Sequence, residues 1–202
     1  FLGDVTSAKD TLAATQGAIE AMGGVDILVN SAGISDTYLP TTEQTVASWQ
    51  RIVDVDLTGT YLMCKAAGPH MLGRRSGAIV NISSVVGLGG FPRRNAYGAS
   101  KAGVIMLTRS LACEWGGHGV RVNCVAPGYI RTPMGETLIA AGKIDVSRTE
   151  RRTPLARLGK PQEIAHAVAY LSSDWATFVS GATLPVDGGW SAFAGSGDVQ
   201  TA

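Results

Sequence analysis

Ala78-Ile-Val-Asn-Ile-Ser83, then the stretch Ala96–Trp115, then Val120-Arg-Val-Asn-Cys-Val125: these three pieces decide the fold. Two short β-branched runs flank one long segment whose apolar residues recur at helical spacing. Near-continuous apolar runs of this length suit strands buried on both faces. A strand–helix–strand passage of this size is a right-handed crossover between parallel strands. The pattern extends in both directions. Ile27–Asn30 and Ala182–Val186 read as further buried strands, and Ala8–Met22, Thr45–Leu72 and Gln162–Ser172 as helices. Such alternation predicts an α/β fold, a parallel sheet with helices on both faces.

The 202 residues suffice for one domain with a sizeable core, and residues 1–202 are expected to form that single domain. Apolar residues make up 45% and charged residues 16%, which excludes a disordered chain. A net charge of +1 gives no electrostatic case for nucleic acid or a membrane surface as partner. No apolar stretch is long enough to span a bilayer. The three cysteines, Cys64, Cys113 and Cys124, are odd in number and form no C-x-x-C pair, so neither a disulfide framework nor a metal site is expected. Reduced, buried thiols suit a cytoplasmic protein.

Gly and Pro fall where strands end: Gly33, Gly87, Gly89-Gly90 and Pro127-Gly128. Ligands of open α/β sheets bind beyond the carboxyl ends of the strands, so this punctuation marks the expected site. The segment Thr132–Arg157 is long, mixed and poorly periodic, and residues 133–157 read as a substrate loop region. Gly195–Ala202, small and polar, reads as a loose tail.

Tyr97-Gly-Ala-Ser-Lys101 places a phenol and an ammonium on one helix face, about a turn apart. Asn95 is placed to cap that helix, which puts Tyr97 in its first turn. A neighbouring ammonium and the positive end of a helix both favour a phenolate, the form needed for acid/base work. The same spacing also arises by chance on a surface helix. Ser83-Ser84 follows the Ala78 strand at the ligand face, where a hydroxyl can donate to a carbonyl oxygen as charge develops; a turn or cap is the other reading. Asn30-Ser-Ala-Gly33 and Pro127-Gly-Tyr-Ile-Arg-Thr132 end two further strands, as close-approach sites for a ligand or as plain turns.

Taken together in this order, the pieces resemble the short-chain dehydrogenase/reductase family along essentially the whole chain. They are Asp4-Val5, Asp26-Ile-Leu-Val-Asn-Ser-Ala-Gly33, Asn81-Ile-Ser-Ser84, Tyr97-x-x-x-Lys101, Asn123-Cys-Val-Ala-Pro-Gly128, Pro154-Leu-Ala-Arg-Leu-Gly-Lys-Pro161 and Val186-Asp-Gly-Gly189. The resemblance implies a Rossmann-like, doubly wound parallel sheet and hydride transfer between NAD or NADP and a secondary alcohol or ketone. It implies that Tyr97 moves a proton at the substrate oxygen and also meets the cofactor, that Lys101 promotes that step and meets the nicotinamide ribose, and that Ser84 orients the substrate. Asp4 and Val5 match residues that meet the adenine. Asn30, Ala32 and Gly33 match the segment along the adenosine ribose. Pro127, Gly128, Ile130 and Thr132 match the loop over the nicotinamide. A homotetramer or homodimer is implied, joined through helices matching Thr45–Leu72 and Ala96–Trp115, with Ala99, Ala102 and Gly103 allowing close contact.

Two departures stand out. The family's glycine-rich pyrophosphate turn, T-G-x-x-x-G-x-G, has no counterpart here; Val86-Gly-Leu-Gly-Gly90 follows the wrong strand. The chain begins at Phe1, near the family's third strand, and the expectation is a longer natural protein whose first βαβ unit is missing from this stretch. The choice between NAD and NADP belongs to that unit. Second, Asp56 stands where the family usually has an Asn that holds a water connecting the catalytic lysine to solvent, a water the Asp56 backbone is also able to hold. Its carboxylate is expected to attract Lys101. The competing expectation is a catalytically weak or inactive relative serving as a structural or regulatory subunit. Among substrates, 3-oxoacyl thioesters compete with sugars, polyols and small hydroxy compounds. Arg93, Arg94, Arg148, Arg151 and Arg152 suit an anionic substrate or carrier, or simply a solvated surface.

Overall fold

A computed structural model of the chain describes residues 2–195 and 197–199. In it four strands form one sheet in the order β1 (Ile27–Asn30), β2 (Gly77–Ile82), β3 (Val120–Pro127) and β4 (Thr183–Val186). Every neighbouring pair is parallel, with Asn30 beside Asn81 and Cys124 beside Thr183 in register. The helices are α1 (Ala8–Met22), α2 (Val46–Val53), α3 (Gly59–Arg74), α4 (Asn95–Trp115), α5 (Pro133–Ala140), α6 (Val146–Arg152) and α7 (Pro161–Ser172).

Strand side chains alternate between the two faces of the sheet. Ile79, Val120 and Val122 point to one face and pack with Met71 of α3 and Leu111 and Trp115 of α4. Val80 and Val125 point to the other and pack with Leu171 of α7. Both faces of β2 and β3 are therefore buried, which is why these strands read as near-continuous apolar runs. Burying one such side chain contributes roughly 1.5–3 kcal/mol. The expected layers, a parallel sheet between helices, are the layers observed. All four strands point their carboxyl ends the same way, and these ends carry the site.

Two expectations about local structure change. Thr45–Leu72 is not one helix: a π-helical turn over Asp54–Thr58 separates α2 from α3, and the Gly59 N–H reaches back to the Asp54 carbonyl. The wider turn carries Asp56 inward to full burial. The mixed segment Thr132–Arg157 holds α5 and α6, whose N-termini are capped by the side chains of Thr132 and Asp145. Helices of 8 and 7 residues are too short to show clear periodicity. Two contacts join the described part of the tail to α6. The Val199 N–H donates to the Arg151 carbonyl at 3.0 Å, and Asp198 pairs with Arg151 at 2.7 Å. Ser196 and residues 200–202 of that tail lie outside the described residues.

Candidate active site

The carboxyl ends of β2 and β3 and the loop after β1 open on a cavity of about 810 Å³. Gly33, Ser84, Tyr97, Lys101, Pro127, Gly128, Ile130 and Thr132 line it. Five other expected site residues do not. The Asp4 carboxylate accepts from the Thr6 N–H and hydroxyl, both at 2.9 Å, and the Thr6 N–H holds its carboxyl below the usual range. Val5 packs against Gly59 at the start of α3. Ala32 is exposed outside the cavity. Asn30 is buried and donates to the Asn81 side chain at 2.9 Å, which in turn donates to Thr108 of α4 at 2.9 Å. That ladder ties β1, β2 and α4 together. Asp56 lies behind the cavity wall, and its contact is with Lys101.

The chemistry sits on α4 and the loop after β2. Tyr97 and Lys101 share a face of α4, and Lys101 Nζ lies 5.4 Å from the centre of the Tyr97 ring. Lys101 is buried, donating to the Ile82 carbonyl at 3.2 Å. Ser83 Oγ donates to the Lys101 carbonyl at 2.8 Å and so fixes the end of β2 against α4. Ser84 caps the 3₁₀ turn Val85–Gly87, accepting from the Val86 N–H at 3.2 Å. Acting there as an acceptor, its hydroxyl keeps its own proton to donate. The turn rests directly on α4: a Cβ on Gly87 would come within 2.7 Å of the Lys101 carbonyl carbon. A side chain at that position would push Ser84 off the helix that carries Tyr97.

The N-terminus of α4 differs from expectation. Asn95 is already inside the helix, and its side-chain amide turns away to donate to Thr41 at 2.8 Å. A residue from another loop satisfies the helix end instead. Asp36, buried, accepts from the Tyr97 N–H at 3.2 Å while its other oxygen accepts from the Thr37 N–H at 2.8 Å. Nothing local in the sequence points to Asp36, which stands 61 positions before Tyr97.

Asp56 does attract Lys101. Its Oδ2 lies 3.5 Å from Lys101 Nζ and lacks a hydrogen-bond donor, while Oδ1 accepts from the Ile34 N–H at 2.8 Å. Burial pushes the Asp56 carboxyl up and the Lys101 ammonium opposes that shift. Gly33 packs against this pair: a Cβ there would stand 3.4 Å from both Asp56 Oδ1 and Lys101 Nζ. Of the five arginines singled out in the sequence, Arg94 alone lines the cavity. Arg93 and Arg148 are exposed, Arg151 pairs with Asp198, and Arg152 lies over Trp190 and Phe193.

The cavity also fits a flat aromatic cofactor ring. At about 810 Å³ it has the room, and the Ser35 hydroxyl in its wall is buried without a hydrogen-bond partner. A parallel sheet with serine, tyrosine and lysine gathered at its strand ends is the arrangement that the family resemblance implies for a nicotinamide-dependent α/β oxidoreductase.

Comparison with known proteins agrees. A family model described as enoyl-(acyl carrier protein) reductase matches residues 1–191. A cis-4-hydroxycyclohexanecarboxylate dehydrogenase from Sinomonas cyclohexanicum is 46% identical over 190 residues, covering 94% of this chain and 75% of that protein. An uncharacterized short-chain type dehydrogenase/reductase from Sinorhizobium fredii is 45% identical over 93% of this chain, which spans only 34% of that longer protein. The solved structure of ElxO with NADP bound superposes with a TM-score of 0.90 at 33% identity, covering 96% of this chain and 78% of that one. The chain belongs to the short-chain dehydrogenase/reductase family, oxidoreductases that use NAD or NADP and act on CH–OH groups.

Proposed function

We propose that Ser84, Tyr97 and Lys101 carry out the interconversion of a secondary alcohol and its ketone. The observation behind this is the placement of the three on one cavity wall, with the Lys101 ammonium 5.4 Å from the Tyr97 ring. NAD or NADP supplies or accepts the hydride when bound. Tyr97 Oη gives a proton to the substrate oxygen in reduction and takes it in oxidation. Ser84 Oγ donates a hydrogen bond to the same oxygen, favouring the transition state in which that oxygen carries charge. Lys101 holds a positive charge beside the phenol, and Asp56 holds Lys101 in place. Gly33, Pro127, Gly128, Ile130 and Thr132 form the side that receives the nicotinamide. Asn30 serves indirectly, tying β1 to β2 and α4 through Asn81, and Ala32 is assigned to the adenosine ribose, and Asp4 and Val5 to the adenine, by resemblance.

Residues 133–157 form the substrate wall in this reading, because Met134, Leu138, Ile139 and Ile144 line the cavity. Residues 1–202 act as one domain of a homotetramer or homodimer. Tyr61 of α3 and Met106 of α4 leave large apolar side chains exposed on the helices assigned to that contact. Gly103 also makes room within the chain, since a Cβ there would meet Leu57. Three free thiols suit a cytoplasmic protein. Among the described residues no helix is long and apolar enough to cross a membrane.

The test is Tyr97→Phe, assayed with both cofactors on a panel of secondary alcohols. Turnover should fall by about 10²–10⁴-fold, the typical contribution of a general acid/base, with cofactor fluorescence titration unchanged. Full turnover in the variant would refute the assignment.

A further inference from the structure

Arg94 stands in the same cavity wall as the catalytic tyrosine. Its guanidinium lies between two rings, 4.6 Å from the centre of Tyr38 and 4.5 Å from that of Tyr97. One of its amino groups donates to the Tyr38 hydroxyl. Its Nε–H is buried without an acceptor. Among the described residues no carboxylate comes within ion-pair distance of it, although Arg74, Arg131, Arg151 and Arg157 each have one. Asp56 feels its charge without pairing with it, so the guanidinium lacks a direct counter-ion, which the anionic group of a ligand can supply.

The backbone is also set with effort. Tyr38 has φ 61° and Arg93, the residue before Arg94, has φ 61°, both in the left-handed region that disfavours side chains. Non-glycine residues persist there where the surroundings impose it, and such places concentrate at ligand sites. The rings clamp the guanidinium at a fixed place beside the reacting oxygen's position, which limits the rotamer freedom an arginine otherwise loses on binding. The other cavity walls are largely apolar, with Val85, Met134, Leu138 and Ile139 among them.

We infer that Arg94 is a substrate-binding residue for an anionic group, and that the preferred substrates are small hydroxy acids whose hydrocarbon body lies on the apolar wall while the carboxylate meets the guanidinium. This rests on the alcohol–ketone reading of the same cavity and adds the substrate class to it. Arg94 stacks on Tyr97, so a role in holding the tyrosine must be separated from anion recognition. Direct binding does this without turnover.

The experiment measures binding of cyclohexanecarboxylate and of its neutral amide to the whole protein by ligand-observed NMR, with and without cofactor, in the native protein, Arg94→Gln and Arg94→Lys. The native protein is expected to prefer the carboxylate over the amide by roughly 10- to 150-fold, the usual range for a hydrogen bond to a charged group. Arg94→Gln should abolish the preference, and Arg94→Lys should restore part of it. No preference in the native protein, or one that survives Arg94→Gln, would overturn the inference. The two readings separate cleanly. Carboxylate preference without turnover of any alcohol keeps the anion site and refutes hydride transfer. Turnover of neutral alcohols without carboxylate preference does the reverse.

Discussion

Replacing Lys101 by Met should destabilise the protein through Asp56, and the size of the effect can be worked from the pair's geometry. The two charges are 3.5 Å apart and both buried. At an effective dielectric constant of about 20, their attraction is about 5 kcal/mol. Breaking a buried pair from one side typically costs about 3–5 kcal/mol, because the remaining charge is left without compensation. Asp56 has a way out, which is to bind a proton. Holding a carboxyl protonated at pH 7, against an unfolded pKa of about 3.9, costs about 1.4 kcal/mol per pH unit, or about 4 kcal/mol, and this caps the penalty. Lys101→Met is therefore expected to lose about 3–4 kcal/mol at pH 7 from the orphaned carboxylate. Adding Asp56→Asn should recover most of it, since Asn keeps an acceptor for the Ile34 N–H and carries no charge.

The pH dependence fixes the sign. Burial pushes Asp56 up, and without Lys101 its largest opponent is gone, leaving the Ile34 N–H and the Arg94 charge to oppose it. The folded state of the single variant then keeps its proton where the unfolded chain has released it. Stability of Lys101→Met relative to the double variant should fall as pH rises above about 4, by about 1.4 kcal/mol per unit, and level off above the folded-state pKa. Urea denaturation followed by tryptophan fluorescence, at several pH values from 4 to 8, measures the gap. A gap that stays constant with pH, or stays below about 1 kcal/mol at pH 7, would refute the reasoning.

Further outcomes follow from particular contacts. Asn81→Ala should cost roughly 1–3 kcal/mol in the same denaturation assay, because it leaves the buried Asn30 amide with only the Cys64 sulfur and removes a partner of Thr108. Gly119→Ala should destabilise by about 1–3 kcal/mol, since Gly119 has φ 77° and a Cβ there would stand 2.2 Å from the Arg75 carbonyl oxygen. Burial pushes the thiol of Cys64 up to about 12 and that of Cys124 up to about 11, whereas Cys113 is exposed. Ellman's reagent at pH 8 should therefore label Cys113 alone in the native protein, and fast labelling of a second thiol would contradict the packing of β3 or α3.

Much of this protein is determined within short windows of sequence. Ile27–Asn30 and Ala8–Met22 are read with their observed bounds because strand and helix periodicities are local properties of the backbone. The Tyr97–Lys101 pair is legible for the same reason, as residues four apart on a helix must share a face. Ser84 is legible as a hydroxyl just past a strand end. What the windows do not hold was decided by the tertiary structure. The Tyr97 N–H is met by Asp36 from 61 positions away, Asn30 by Asn81 from 51, and Arg94 by Tyr38 from 56. The π turn that carries Asp56 inward looks like ordinary helix in sequence, because one backbone bond reaching five residues back leaves no mark on side-chain pattern. Five arginines looked alike as charges, and only the fold shows that Arg94 alone of them lines the cavity, held against the distant Tyr38 ring. Local sequence thus specified which chemical groups the site has. Long-range packing specified which of them are buried, charged and paired, because burial and counter-ions depend on residues that are distant in the chain.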